Sequence, residues 1–265
     1  MISIAIIGAT GRMGLTVVKA VEADSNFSIS GCLVHESSPD IGRDVGLLAG
    51  VDEIGVTATA DIDRALAGAD VVVDFSTADS RSDVVASCAR IGLPMVIGTT
   101  GLDDAQRNAI ARAAEAIAIV YAANMSVGIT LMQKLAALAC QTLGDDFDIE
   151  IVETHHRDKK DAPSGTALAI GEAIDNAGQT SRPREIGRRP GDGPRTTGAV
   201  GYSSIRAGDV VGEHTVILAG AGESLELTHK ASNRMTFATG ALRAASWISA
   251  RSAGLYDMTD VLDRE

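Results

Sequence analysis

The sequence predicts an α/β fold: a doubly wound parallel sheet covered by helices, interrupted by a smaller α+β unit with a mixed sheet. Three observations carry this. Short apolar runs alternate with helical stretches through the first half of the chain, which is the pattern of βαβ units. Apolar residues make up 45% of the 265, aromatics only 3%, and 28 residues are glycine. An aliphatic, glycine-rich chain suits a parallel sheet buried on both faces better than aromatic sandwich strands. Past residue 127 the pattern changes to one long helix followed by segments of period two.

Taken in order, 2–7 reads as a strand, 11–23 as a helix and 28–34 as a second strand. Residues 70–75, 94–97 and 118–121 are further apolar runs of strand length, with helices expected at 80–91 and 103–115 between them. The stretch 127–143 is a helix, because Ile129, Met132, Leu135, Ala136, Ala139 and Leu143 recur at three- and four-residue steps. Phe147, Ile149 and Ile151 then alternate with Asp148, Glu150 and Val152, a strand pattern. Residues 178–200 form a polar loop rich in Pro, Gly and Arg, long enough to be either mobile or functional. Alternation returns at 202–206, 214–219 and 224–229, the last two joined by the glycine turn Gly220-Ala221-Gly222, and 235–252 is helical again. The expected organisation is therefore discontinuous: 1–126 with 236–265 as a dinucleotide-binding domain, and 127–235 as a substrate-binding and oligomerisation domain.

Charge and composition exclude several classes. With 23 basic against 35 acidic residues the net charge is −12, which disfavours nucleic acid and anionic membranes as partners. No apolar run approaches the ~18 residues that span a bilayer. Cys32, Cys88 and Cys140 are too few and too scattered for a disulfide framework or a CxxC metal pattern. The N-terminus enters a strand at once, without a targeting segment. These features together predict a cytoplasmic protein.

The first chemical motif is the loop Gly8-Ala9-Thr10-Gly11-Arg12-Met13-Gly14, which follows a strand and opens a helix. Glycines there permit a tight turn, close backbone approach and helix-on-strand packing, while the helix N-terminus offers N–H groups to a pyrophosphate. An acid that binds the ribose is expected about 20 residues further, at the end of the second strand. That position carries Val34, followed by His35 and Glu36. Without an acceptor at Val34, Arg12 and His35 stand beside a 2′-phosphate, and the reading leans to NADPH over NADH, or to dual use. A shift of one or two residues in the strand would instead give the role to Glu36. Gly98-Thr99-Thr100 and Ala122-Ala123-Asn124-Met125 follow later strands, and ligands of doubly wound sheets lie outside such strand ends.

The densest chemistry lies in Glu153-Thr154-His155-His156-Arg157-Asp158-Lys159-Lys160-Asp161-Ala162-Pro163-Ser164-Gly165-Thr166. Asp161 is expected to cap a helix whose first turn contains Pro163, Gly165 and Thr166. The free N–H groups of that turn, with a threonine hydroxyl, make a carboxylate site. His155 or Lys159 can donate a proton near neutral pH when suitably placed. A metal is not expected, because adjacent His155 and His156 on a strand point to opposite faces. Ser164 has no general base in an obvious position, so hydrolysis is not expected.

These residues resemble one family, bacterial dihydrodipicolinate (4-hydroxy-tetrahydrodipicolinate) reductase of lysine and diaminopimelate synthesis. The resemblance rests on Glu153-x-His155-His156-x-x-Lys159-x-Asp161-Ala162-Pro163-Ser164-Gly165-Thr166-Ala167, on the 8–14 loop, and on Gly98–Gly101 and Ala123–Gly128. Arg206 to His214 and Thr228 to Ala231 complete it. It implies a Rossmann-like doubly wound parallel sheet binding NADPH or NADH, with an inserted α+β substrate domain that also forms a homotetramer. It implies His155 and Lys159 as the acid/base pair, and His156, Gly165 and Thr166 as binders of a cyclic imine dicarboxylate. Gly8 to Met13, Gly98 to Thr100 and Ala122 to Met125 would line the cofactor. Family members often carry an acidic then a basic residue where Val34 and His35 stand here. Two other readings share the Rossmann start: a two-domain dehydrogenase of the homoserine or aspartate type, and a non-catalytic dinucleotide sensor.

Overall fold

The computed structural model describes residues 1–77, 82–179 and 181–263. The chain divides into two compact units, Met1–Val127 with Arg234–Glu265, and Gly128–Asn233.

The first unit is built on a parallel sheet of seven strands: β1 (Ile2–Ile7), β2 (Phe27–Leu33), β3 (Ala58–Thr59), β4 (Val71–Asp74), β5 (Met95–Ile97), β6 (Ala118–Tyr121) and β12 (Gly254–Tyr256), in the order β12-β6-β5-β4-β1-β2-β3. Its strands are continuous apolar runs because both faces are covered. Ile4 and Ile6 of β1, Val71 and Val73 of β4, Val96 of β5 and Val120 of β6 face one core. Ala5, Ile7, Val72, Met95, Ile97 and Ile119, one residue out of step, face the other. The helices α1 (Arg12–Glu22) and α8 (Met235–Ile248) close the first core. The short α3 (Ile62–Leu66), α4 (Ser82–Ile91) and α5 (Asp104–Ala113) close the second. Asp103 caps α5 in a capping box with Gln106, satisfying N–H groups that the first turn leaves open.

The sequence expectation for α4 begins at 80; residues 80 and 81 lie outside the described residues. Helix 235–252 ends earlier, at Ile248, and the chain beyond it supplies β12, which pairs with β6. The short α2 (Val45–Ala49), α9 (Met258–Leu262), α3, β3 and β12 were not expected. At two to five residues each, none is long enough to show a period.

The second unit is a mixed sheet of five strands: β7 (Asp148–His155), β8 (Arg184–Ile186), β9 (Val200–Arg206), β10 (Gly212–Gly220) and β11 (Glu223–Ala231), in the order β11-β10-β7-β9-β8. β7 runs parallel to β9 and antiparallel to β10. Two helices, α6 (Val127–Leu143) and α7 (Gly165–Gly178), supply Ile129, Met132, Ala136, Ala167, Ile170 and Ile174 to the core on one face of this sheet. The apolar stripe expected on α6 divides. Ile129, Met132, Ala136 and Cys140 are buried, whereas Leu135 is exposed with Leu131 and Leu138.

The 178–200 segment contains β8 and is tied down. Arg195 donates to Glu150 Oε1 at 3.0 Å, to Asp148 Oδ1 at 2.8 Å and to the carbonyls of Ile149, Thr196 and Ala199. Thr180 lies outside the described residues.

Candidate active site

The two candidate regions lie one in each unit. In the first unit, β1 enters the glycine loop at Gly8, whose φ of +74° lies in the left-handed region that an L side chain rarely adopts. A Cβ at Gly14 would stand 2.2 Å from the Gly8 carbonyl oxygen, so α1 packs directly on the loop backbone. Gly11 is the N-cap of α1 and brings no side-chain cap, which leaves the first turn of the helix to an external anion.

Neighbouring strand ends join this loop. Position 8 abuts the Ser76 backbone, with a Cβ there only 2.8 Å from Ser76 Cα. Thr99 Oγ1 donates to the Ser76 carbonyl at 2.8 Å, and Gly98 N–H donates to the Asp74 carbonyl at 2.9 Å. The Phe75 ring fills the space in front of Gly98, where a Cβ would stand 2.3 Å from the ring. Ala122 N–H donates to the Ile97 carbonyl at 3.1 Å, and Asn124 Oδ1 accepts from Ser126 N–H at 2.8 Å. Gly8, Gly98 to Thr100 and Ala122 to Asn124 thus follow the carboxyl ends of three strands in one sheet, β1, β5 and β6. A positive-φ glycine, a close glycine contact and an uncapped helix form a cradle that fits a dinucleotide pyrophosphate.

Not every residue expected at the cofactor turns its side chain outward. Ala9, Val34 and Met125 are buried in the core. Their side chains are committed to packing, so they reach a ligand only through backbone atoms. Thr10 and Met13 are partly exposed, and Arg12, His35, Thr100 and Ala123 are exposed. His35 Nδ1 hydrogen-bonds Ser37 Oγ at 2.8 Å. Glu36 is exposed two residues past Val34.

In the second unit, the period-two alternation that buries Ile149 and Ile151 continues along β7 and buries Glu153 and His155 on the same face. On β10 the same rule buries His214, which lies opposite Glu153 in the sheet register. On β9, Arg206 lies opposite His155. The face that begins as hydrocarbon therefore ends in a polar cluster. Arg206 clamps Glu153 with two bonds of 2.8 Å, one to each carboxylate oxygen. His155 Nδ1 lies 2.6 Å from Glu153 Oε2, and Ser164 N–H donates to Glu153 Oε1 at 3.2 Å. Ser164 Oγ accepts from Ala167 N–H and hydrogen-bonds His214 Nε2, both at 3.1 Å. The rings of His155 and His214 meet edge to face, 5.1 Å apart.

The electrostatics follow from burial and pairing. Burial alone would raise the Glu153 pKa, but hydrogen bonds from His155, Arg206 and Ser204 outweigh it and hold the carboxyl far below its usual range. Glu153 is therefore ionised and can only accept, so His155 Nδ1 carries the proton of the bond between them. Burial, and after it the charge of His155, pulls His214 down to about 3, so this ring is neutral near pH 7. Asp161 is lowered despite burial, because Lys159 hydrogen-bonds it; Lys159 Nζ lies 2.9 Å from Asp161 Oδ1.

The structure corrects the expected start of the helix after this segment. Ser164, not Asp161, is the N-cap, and α7 begins at Gly165, so Pro163 precedes the first turn. The physical reason is that the Ser164 hydroxyl reaches the Ala167 N–H, while the Asp161 carboxylate lies outside the helix, shared between Lys159 and the Gly165 N–H. Gly165 and Thr166 do occupy that turn; a Cβ at Gly165 would meet nothing within 4 Å, and its N–H is hydrogen-bonded to the Asp161 carboxylate. His156 lies just past the end of β7 and is partly exposed. Ser164 also has an imidazole beside it, from His214 fifty residues away in sequence, a neighbour that a sequence scan does not show. The hydroxyl is only 1% exposed and caps a helix, so it is not a free nucleophile. Among the described residues no group of His, Cys, Asp and Glu could hold a metal ion, and no helix is long and apolar enough to cross a membrane.

The sequence assigns no role to Arg206 or His214, offers Ser164 only as a nucleophile without a base, and carries Glu153 only as part of the 153–167 string. The signal that finds two of them is the alternation itself: extending the buried face of β7 from Ile149 in steps of two reaches Glu153, and extending that of β10 back from Val216 reaches His214.

Comparison with known proteins agrees along the whole chain. Residues 2–125 match the family described as dihydrodipicolinate reductase, N-terminus, and residues 128–262 match dihydrodipicolinate reductase, C-terminus. The chain is 50% identical over 263 residues to 4-hydroxy-tetrahydrodipicolinate reductase of Pseudomonas fluorescens (strain SBW25), covering 98% of each. It is 48% identical over 261 residues to the protein of the same description in Alkalilimnicola ehrlichii, again covering 98% of each. Among solved structures it is similar to dipicolinate-bound dihydrodipicolinate reductase from Paenisporosarcina sp. TG-14. The TM-score is 0.74 at 25% identity, covering 99% of this chain and 100% of that one.

Proposed function

Because the chain belongs to the dihydrodipicolinate reductase family, we propose that it is a 4-hydroxy-tetrahydrodipicolinate reductase, an NAD(P)H-dependent enzyme of lysine and diaminopimelate synthesis. Its substrate is a small cyclic imine dicarboxylate, reduced to tetrahydrodipicolinate. The observation that carries this reading is His155 and the Gly165–Thr166 turn around one buried carboxylate, Glu153. Proton donor and anion-binding turn are then built from one polar cluster. The match to the family at both ends of the chain favours this over a homoserine- or aspartate-type dehydrogenase, and the intact cluster favours it over a non-catalytic sensor.

The family resemblance suggests a role for each site residue, and the geometry supports it. The loop Gly8 to Met13, with Gly98 to Thr100 and Ala122 to Met125, holds the dinucleotide, its pyrophosphate against the bare first turn of α1. When bound, a reduced nicotinamide would supply the hydride to a ring carbon of the conjugated cyclic imine left once the 4-hydroxyl group departs as water, so that the carbon–nitrogen double bond survives in tetrahydrodipicolinate. The first turn of α7 at Gly165 and Thr166, with His156, holds a substrate carboxylate, which takes the place of the Asp161 carboxylate at the Gly165 N–H. His155 delivers a proton from Nε2 to the substrate nitrogen, since Nδ1–H is taken by Glu153. Lys159 adds a positive charge and a second donor at the same end of β7. Holding the reacting groups in place is where much of the rate arises. Arg12 and His35 favour NADPH or dual use. The protein works in the cytoplasm as a homotetramer.

The decisive assay adds NADPH or NADH and freshly condensed pyruvate and aspartate semialdehyde, and follows cofactor absorbance. Oxidation well above the cofactor-only rate is expected with at least one cofactor. No such oxidation with either would overturn the assignment.

A further inference from the structure

Glu153 is only 1% exposed, and an ionised carboxylate so deeply buried is costly unless every lone pair is used. Here the two oxygens serve different masters. Oε2 accepts from His155 Nδ1 and from Arg206, and Oε1 accepts from Arg206 and from the Ser164 N–H. The bidentate guanidinium fixes the plane of the carboxylate, so both remaining directions are set at once. One leads to the proton donor, the other to the N-cap of the substrate turn.

We propose that Glu153 is a positioning residue of this reductase: one oxygen fixes the tautomer and ring orientation of His155, and the other docks the first turn of α7 through the Ser164 N–H. This rests on the reading of His155 as proton donor and of that turn as the carboxylate site. An acceptor-only partner on Nδ1 leaves Nε2 as the atom that gives and receives the proton. Space for that atom exists because residue 212 is glycine; a Cβ there would stand 3.1 Å from His155 Nε2. The charged and titratable groups around the ring are Glu153 on β7, Arg206 on β9, His214 on β10, His229 on β11, and Lys159 and Asp161 beyond β7. Glu153 alone among them bonds the ring and the helix cap together. A glutamine has the same shape, but its amide can donate to Nδ1 and so admits the other tautomer.

The test uses the full-length protein labelled with nitrogen-15 at histidine. Ring signals that vanish in His155→Asn identify His155. Wild type is expected to show His155 with its proton on Nδ1; a proton on Nε2 alone would overturn the proposal, whatever the variants do. Kinetics supply the second arm. Glu153→Gln is expected to lower kcat by about 10²-fold and also to raise KM for the dicarboxylate, with NADPH affinity retained. Glu153→Asp should recover part of both. Ser164→Ala, which keeps the backbone N–H to Glu153, should raise KM and leave the His155 proton on Nδ1. Wild-type kcat and KM in a folded Glu153→Gln would likewise overturn the proposal. If Glu153→Gln does not fold, the wild-type tautomer decides. If wild type oxidises no cofactor, the functional reading falls, while the ring signals still report on Glu153.

Discussion

Ser164 Oγ and His214 Nε2 lie 3.1 Å apart, joining the cap of α7 to β10 of the second sheet. Ser164 is 1% and His214 3% exposed, so water has little access to this bond. The imidazole is neutral because burial and the neighbouring His155 pull it down to about 3.

That histidine makes stability depend on pH. In the unfolded chain the ring takes up a proton near 6.5, and in the folded protein only near 3. Between those values the unfolded state binds more protons, so stability falls as pH falls through the window. The contribution is fully present above about 6.5. Urea unfolding of wild type at pH 7.5, 6 and 5 is expected to show this loss, on the order of a few kcal/mol in all by the lower limit. His214→Gln should flatten the slope across the same range. An equal slope in both proteins would assign the effect elsewhere.

The roles given to His155 and Lys159 separate chemistry from cofactor binding. His155→Gln and Lys159→Ala should each lower turnover by roughly 10²- to 10⁴-fold. Fluorescence titration should find NADPH binding close to wild type, because both residues belong to the second unit. Loss of NADPH binding in both variants would mean that they have been placed in the wrong site.

Gly14 tests the cradle. In Gly14→Ala the new Cβ meets Gly8 O at 2.2 Å and Ala9 C at 2.6 Å, both backbone atoms that yield only if the loop moves. A loss of roughly 1–3 kcal/mol is expected, together with weaker binding of either cofactor. Calorimetry and cofactor titration would show both effects; an unchanged midpoint with unchanged affinity would contradict the close packing of α1 on the loop.

Arg12 tests cofactor choice. It is exposed at the first position of α1, and a charge-assisted bond to a 2′-phosphate is worth about 1.5–3 kcal/mol. Arg12→Ala should weaken NADPH by roughly tenfold or more and leave NADH nearly unaffected. Equal losses for the two would mean that Arg12 serves the shared pyrophosphate instead.

Much of the fold was legible because its signals are local. The apolar runs at Ile2–Ile7 and Val71–Asp74 and the glycine loop announce a parallel sheet within a few residues of chain. The His155–Lys159 string likewise sits in one short segment. Val34 shows where such reading runs out. Its position past β2 is legible, but the burial of its side chain in the core is decided by helices that pack from elsewhere. Leu135 shows the reverse, an apolar residue on a helical stripe that the fold leaves exposed.

The sequence by itself determined the α/β class, the nucleotide-type loop and the segment that carries the acid/base candidates, because propensity, periodicity and turn chemistry act over a few residues. Only the tertiary structure decided how that segment is completed. Arg206 reaches Glu153 across 53 residues and His214 reaches Ser164 across 50, distances in sequence over which no period persists. Sheet register, set by burying Ile149, Ile151, Val216 and Leu218 on one face, carried the polar residues of the same alternation into one cluster. Once there, a buried carboxylate had to find its donors, and that requirement, more than any motif, defines the site.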